Sequence, residues 1–216
     1  MIRGFVCKLS VFGLSDSDEF SAGFQNIRDR AYDRSRSNLD ARQRFTASFA
    51  WQLPFGRGHH LGGGWNALVD SVLGGWQLVG IVTLRTGFPF TPTVPGDPAN
   101  VGGSNRPNRL ADGRVDDRTL ERWYDPKAFA APERYTFGTS GRNILSGPGL
   151  RRGDISVHKG FRVREGQRVQ LRAEFFNLTN TPKFGNPGAN VTAASAGHIT
   201  SASGEREIQF ALKYIF

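Results

Sequence analysis

The chain has 216 residues, 38% hydrophobic and 22% charged, with 27 Gly, 11 Pro and 17 Phe. No run approaches the ~18 consecutive apolar residues of a membrane-spanning helix, aromatic and β-branched residues are too frequent for disorder, and the single cysteine, Cys7, excludes a disulfide framework. A formal net charge of +9 raises nucleic acid or an anionic membrane as a partner, so the placement of the charges matters.

In chain order, residues 3–14 form a weak alternating run in which Phe5, Cys7, Leu9 and Val11 oppose Lys8 and Ser10. Lys8 also interrupts the apolar stretch an export signal needs, so no signal peptide is read here. Over 42–54, Phe45, Ala47, Phe49, Trp51 and Leu53 alternate with Arg44, Thr46, Ser48 and Gln52. Trp65, Leu68, Val69 and Val72 stand at helical spacing and predict one short helix in a connection. Over 74–87, Trp76, Leu78, Val82 and Leu84 oppose Gln77, Thr83 and Arg85. The segment 88–149 holds eight of the 11 prolines and reads as one long connection. Two further runs, 152–163 and 167–178, flank Arg164-Glu-Gly-Gln167, a hairpin turn with glycine free for positive φ. In the first, Ile155, Val157, Phe161 and Val163 oppose Ser156, His158 and Arg162; in the second, Val169, Leu171, Ala173 and Phe175 oppose Gln170, Arg172 and Glu174. The last run, 206–216, sets Ile208, Phe210, Leu212, Tyr214 and Phe216 against Gln209, Ala211, Lys213 and Ile215.

Period two over six runs predicts an all-β chain. Two architectures compete for it. A soluble sandwich buries one face of each strand, and a loop of about 60 residues is hard to place in it. An outer-membrane barrel turns its apolar face to lipid and its polar face to a wet lumen, with short turns at one end and long loops at the other. The alternation of connection lengths fits the barrel better. So do Arg44, Arg85, Arg162, Arg172, Glu174 and Lys213, lumen-facing candidates whose charges a dry core would not accept unpaired. Lys159 is the exception, since its parity points to lipid and its stem must snorkel.

Bond-making chemistry finds little support, and no enzyme activity, catalytic residue, cofactor or metal is expected. His59 and His60 stand in a glycine-rich link without a third ligand, and the glycines lack the Lys-Ser/Thr ending of a phosphate loop. Asp16-Ser-Asp-Glu19 is half a calcium loop, without its glycine and closing glutamate. Ser140 lacks the flanking glycine pattern of a nucleophile elbow, and Glu174 has no evident acid–base partner. The arginines look scattered over loops (Arg28, Arg30, Arg34, Arg36), strands and turns (Arg164, Arg168), which argues against a nucleic-acid surface.

Several motifs together resemble one family. They are Gly138-Thr-Ser-Gly-Arg-Asn-Ile-Leu-Ser-Gly-Pro-Gly-Leu150, Asp154-Ile-Ser-Val157 and Arg172-Ala-Glu-Phe-Phe-Asn-Leu-Thr-Asn180, joined by Arg44-Phe45, Leu53-Pro-Phe-Gly56 and Leu73-Gly-Gly-Trp-Gln-Leu78. Asn105-Arg-Pro-Asn108, Arg122-Trp123, Phe184-Gly-Asn-Pro187 and Gln209-Phe-Ala-Leu-Lys-Tyr-Ile-Phe216 complete the set. From about residue 13 onward the chain resembles the C-terminal barrel of TonB-dependent outer-membrane receptors, in particular the Oar-like branch that carries a carboxypeptidase-regulatory-like domain. The resemblance implies an antiparallel up-and-down transmembrane β-barrel segment: about six strands of a 22-stranded barrel, long external loops, short periplasmic turns, and the plug and N-terminal domains outside residues 1–216. It implies a fragment of a transporter in the cell outer membrane. The partners would be outer-membrane lipid, the barrel-assembly machinery, the remaining barrel and plug, and, through the N-terminal part, the inner-membrane energy-coupling complex. The stripe of Ile208, Phe210, Leu212, Tyr214 and Phe216 would then be the barrel-assembly signal. A stand-alone soluble β-rich module for carbohydrate or nucleic acid is the alternative.

Overall fold

The computed structural model describes residues 2–10, 24–26, 28–57, 59–103 and 105–216, with the backbone alone over 2–10. Six long strands form one sheet: β1 (Ile2–Ser10), β2 (Arg44–Gln52), β3 (Trp76–Arg85), β4 (Leu150–Arg164), β5 (Gln167–Phe176) and β6 (Glu207–Ile215). Each pairs antiparallel with its neighbours in chain order, an up-and-down meander. The part of the first run beyond residue 10 lies outside the described residues.

Register carries the alternation across the sheet. One row runs Phe5, Phe49, Gly80, Ile155, Phe175, Ile208 over all six strands. Another runs Trp51, Leu78, Val157, Ala173, Phe210. On the opposite face, Ala50, Val79, Ser156, Glu174 and Gln209 form a row, as do Gln52, Gln77, His158, Arg172 and Ala211. The apolar face is exposed: Phe210 is 80% and Leu212 70% accessible, and Ala47 is the sheet's one buried apolar side chain among the described residues. A soluble sandwich would bury this face; here it is exposed.

The connections separate by end. After β1, β3 and β5 the chain leaves in long loops from one end of the sheet, while the link 53–75 and the turn at 165–166 lie at the other. Gly166, at φ 76°, supplies the left-handed residue of that hairpin. The link 53–75 contains α1 (Ala67–Leu73), capped where the Asn66 side chain accepts from the Val69 N–H, 2.8 Å away.

The one hydrophobic cluster of the described residues lies in the loops. Phe90, Tyr124, Ala128, Phe129 and Leu145 pack together, with Ile144, Ala189 and Val191 against them. Tyr124 stands 5.8 Å from the Phe90 ring and 6.1 Å from Phe129, and its hydroxyl donates to the Gly188 carbonyl at 2.8 Å. The loop 88–149 thus does not wander: it folds with the β5–β6 loop into a cap. The β1–β2 loop joins through the Tyr32 hydroxyl, which donates to the Gly138 carbonyl at 2.6 Å. A Cβ at Gly138 would overlap the carbonyl oxygen of Arg106, so glycine there permits this close crossing.

Candidate functional site

Arginine dominates the space between cap and sheet. A cavity of about 860 Å³ is lined by Arg36 and Arg42 from the first loop, Arg114 and Arg118 from the second, and Arg85 and Arg151 from the facing ends of β3 and β4. Thr181, Pro182 and Phe184 of the third loop complete the wall, and among the described residues no aspartate or glutamate lines it. An adjoining cavity of about 300 Å³ shares Arg36, Arg42 and Arg114 and adds Arg34, Arg109 and Arg142. Of the arginines that look scattered in sequence, the fold brings Arg34, Arg36 and Arg85 together with six others here, while Arg28, Arg30, Arg164 and Arg168 line neither cavity. Sequence spacing conceals this because the contributing positions span more than a hundred residues; the arginine-dense stretches 28–42 and 106–122 are the local signals.

Few carboxylates answer them. Asp40 lies 4.0 Å from Arg36, and Asp112 pairs with Arg109 and Arg114. Burial, together with Arg42 and Arg114, holds the Arg36 guanidinium below its usual pKa, and Asp40 only partly offsets them. Arg118 lies over the Trp123 ring, 5.5 Å from its centroid, and its Nε donates to the Val115 carbonyl at 3.4 Å.

The six lumen-facing candidates share one face by register. Arg44 pairs with Arg85, Arg162 with Arg168, Arg172 with His158, Glu174 with Ser156, and Lys213 with Gln170. Arg85 alone among them reaches the cavity, with its guanidinium 3.6 Å above the Phe88 ring. Glu174 has a serine hydroxyl beside it. The Ser156 hydroxyl stands 3.5 Å from its carboxylate and 2.6 Å from His158 Nε2. Serine sits between acid and imidazole in this arrangement, the reverse of a nucleophilic triad, where histidine is central.

Other sequence candidates lie apart. His59 and His60 are exposed, Ser140 is buried, and Asp16 to Glu19 fall outside the described residues. Lys159 occupies the apolar row opposite Trp76, yet is only 2% exposed. Its ammonium donates to the Gly74 carbonyl beside the Trp76 and Phe161 rings. Snorkelling here ends on a backbone acceptor at the short-link end of the sheet. Two asparagines of the stretch from Arg172 to Asn180 also gain a physical role. Asn177 and Asn180 both adopt φ 50°, and the Asn177 amide donates to the Thr181 and Gly204 carbonyls where the chain leaves β5.

The model of a protein family described as outer membrane beta barrel domain matches residues 9–209. The chain belongs to that family. No curated protein and no solved structure matches it. An outer membrane β-barrel domain accounts for the two faces of the sheet at once: an exposed apolar face that suits lipid, and a polar face that suits water. It also accounts for a hydrophobic cluster placed in the loops instead of against the sheet. The fold is all-β and antiparallel, but the sheet of this outer membrane β-barrel domain is open among the described residues: β1 pairs only with β2, and β6 only with β5.

Proposed function

We propose that the chain is the C-terminal wall of a TonB-dependent outer-membrane receptor of the Oar-like branch. Its six strands are part of a 22-stranded barrel, with no catalytic role of their own. The complete receptor moves a large solute across the outer membrane, driven by the inner-membrane proton gradient through its plug and N-terminal part. The open sheet carries this reading. An edge strand in lipid exposes backbone N–H and C=O groups with no water to satisfy them, so β1 and β6 need further strands beside them. The long-loop end, with its folded cap, is external; the turn at 165–166 is periplasmic.

Outer-membrane fractions of cells expressing the complete receptor test this. The receptor should require detergent, migrate in a heat-modifiable way, and lose inserted material when Phe216 is deleted, while deletion of 88–149 leaves more of it inserted. Energised uptake should stop when the inner-membrane coupling complex is disabled. Equal insertion with and without Phe216, or a fully water-soluble protein, would overturn the reading.

A further inference from the structure

We propose that the arginine-lined cavity beneath the cap binds a polyanionic organic solute, one bearing several phosphate, sulfate or carboxylate groups. This deepens the transport reading, on which it rests, by naming the substrate class.

Six guanidinium groups converge on one cavity from two loops and two strand ends, and three more line the space adjoining it. Among the described residues, Arg42, Arg85, Arg118 and Arg151 have no carboxylate within ion-pair distance. Like charges gathered around one cavity repel, most of all at Arg36 and Arg85, which are partly buried. A ligand with several oxyanions relieves that repulsion, and the planar fork of arginine donates to oxyanions two bonds at a time.

Size and shape narrow the class. About 860 Å³ lies within the range of organic-ligand sites and is far more than one inorganic ion fills. Trp123 and Phe184 add flat apolar wall, which suits a ring or carbon skeleton between the charged groups. A volume of about 860 Å³ is far too small to seat a nucleic-acid duplex. Lipopolysaccharide carries the same phosphate chemistry, but its acyl chains belong beside the exposed apolar face, away from the space the loops enclose. A free solute is the source the geometry favours.

The test is calorimetric titration of the complete receptor in detergent with inositol hexakisphosphate. Maltohexaose serves as a neutral probe and lipopolysaccharide micelles as the lipid arm. Inositol hexakisphosphate should bind, more weakly as salt rises, and maltohexaose should not. Arg114→Gln with Arg118→Gln should weaken binding by about tenfold or more, and so should Arg42→Gln, whose side chain makes no ion pair among the described residues. Arg134→Gln with Arg206→Gln removes equal charge outside the cavity and should change affinity by less than about twofold. Heat-modifiable migration of each variant checks folding. Equal weakening by both pairs, no binding of inositol hexakisphosphate, or tighter binding of lipopolysaccharide would overturn the proposal. Binding without energised uptake would leave it standing and count against the transport reading.

Discussion

Asp33 lies 2.8 Å from Arg106, and this ion pair, with both side chains more than nine-tenths buried, ties the first long loop to the second. Arg106 also stands over the Tyr32 ring at 4.8 Å, so three side chains from two loops form one joint. Asp33→Asn leaves the guanidinium buried without its counter-charge. Breaking such a pair costs about 3–5 kcal/mol. The loss falls on the cap and spares the sheet, so amide exchange should quicken over 24–43 and 105–108 while β4 and β5 keep their protection. Uniform loss of protection would refute a separate cap.

Tyr124 supports a pH prediction. Burial pushes its phenol up to about 12, against a hydrogen bond from the Gly197 backbone that acts the other way. Because the folded value lies above the unfolded one of about 10, the cap's stability is complete below about pH 10 and declines as pH rises through 12. Phenolate absorbance of the wild type should include one tyrosine titrating last, together with loss of the cap. Tyr124→Phe should abolish that component and, by removing the bond to Gly188, lower cap stability by about 1 kcal/mol.

The two faces predict an asymmetric response to arginine. Phe49→Arg and Phe175→Arg fall in the six-strand apolar row, and each should destabilise the assembled barrel by ~2–4 kcal/mol if placed near the bilayer midplane. Ser48→Arg and Gln170→Arg, on the polar face, should be far milder. Heat-modifiable migration after folding into lipid reads the difference, and four equal effects would sink the assignment of faces.

Gly80 stands opposite Phe49, whose ring lies over it, and a Cβ added there would come within 2.5 Å of that ring. Gly80→Val must displace the ring and so distort the β2–β3 pair, at about 1–3 kcal/mol for overpacking. The double variant Gly80→Val with Phe49→Ala should recover part of the loss, as contacting positions do in a mutant cycle. Folding into lipid at graded urea concentrations measures it; strict additivity would mean that the ring does not depend on the glycine.

Protease added to whole cells gives a further check, on topology. It should cut within 88–149 and spare Arg164, since the long loops share one end of the sheet and the Gly166 turn lies at the other. Cleavage at Arg164 instead would invert the orientation.

Strand identity, face and helix position were legible in the sequence. Period-two alternation is local, so Ile208, Phe210 and Leu212 announce their face without knowledge of neighbours. Trp65 to Val72 likewise announces a helical turn, observed as Ala67–Leu73. Residues such as Gly74 and Asn177 stand in recognisable motifs, but what they bond to is set by chain segments far away: Lys159 for the one, Gly204 for the other. The tertiary structure alone decided that the proline-rich loop is folded, because its cluster joins Phe90 and Tyr124 to Ala189 and Val191 across as many as a hundred residues. It alone decided that Arg36, Arg42, Arg85, Arg114, Arg118 and Arg151 face one cavity. Alternation fixes where each side chain points relative to its own strand; only loop closure fixes which distant charges meet.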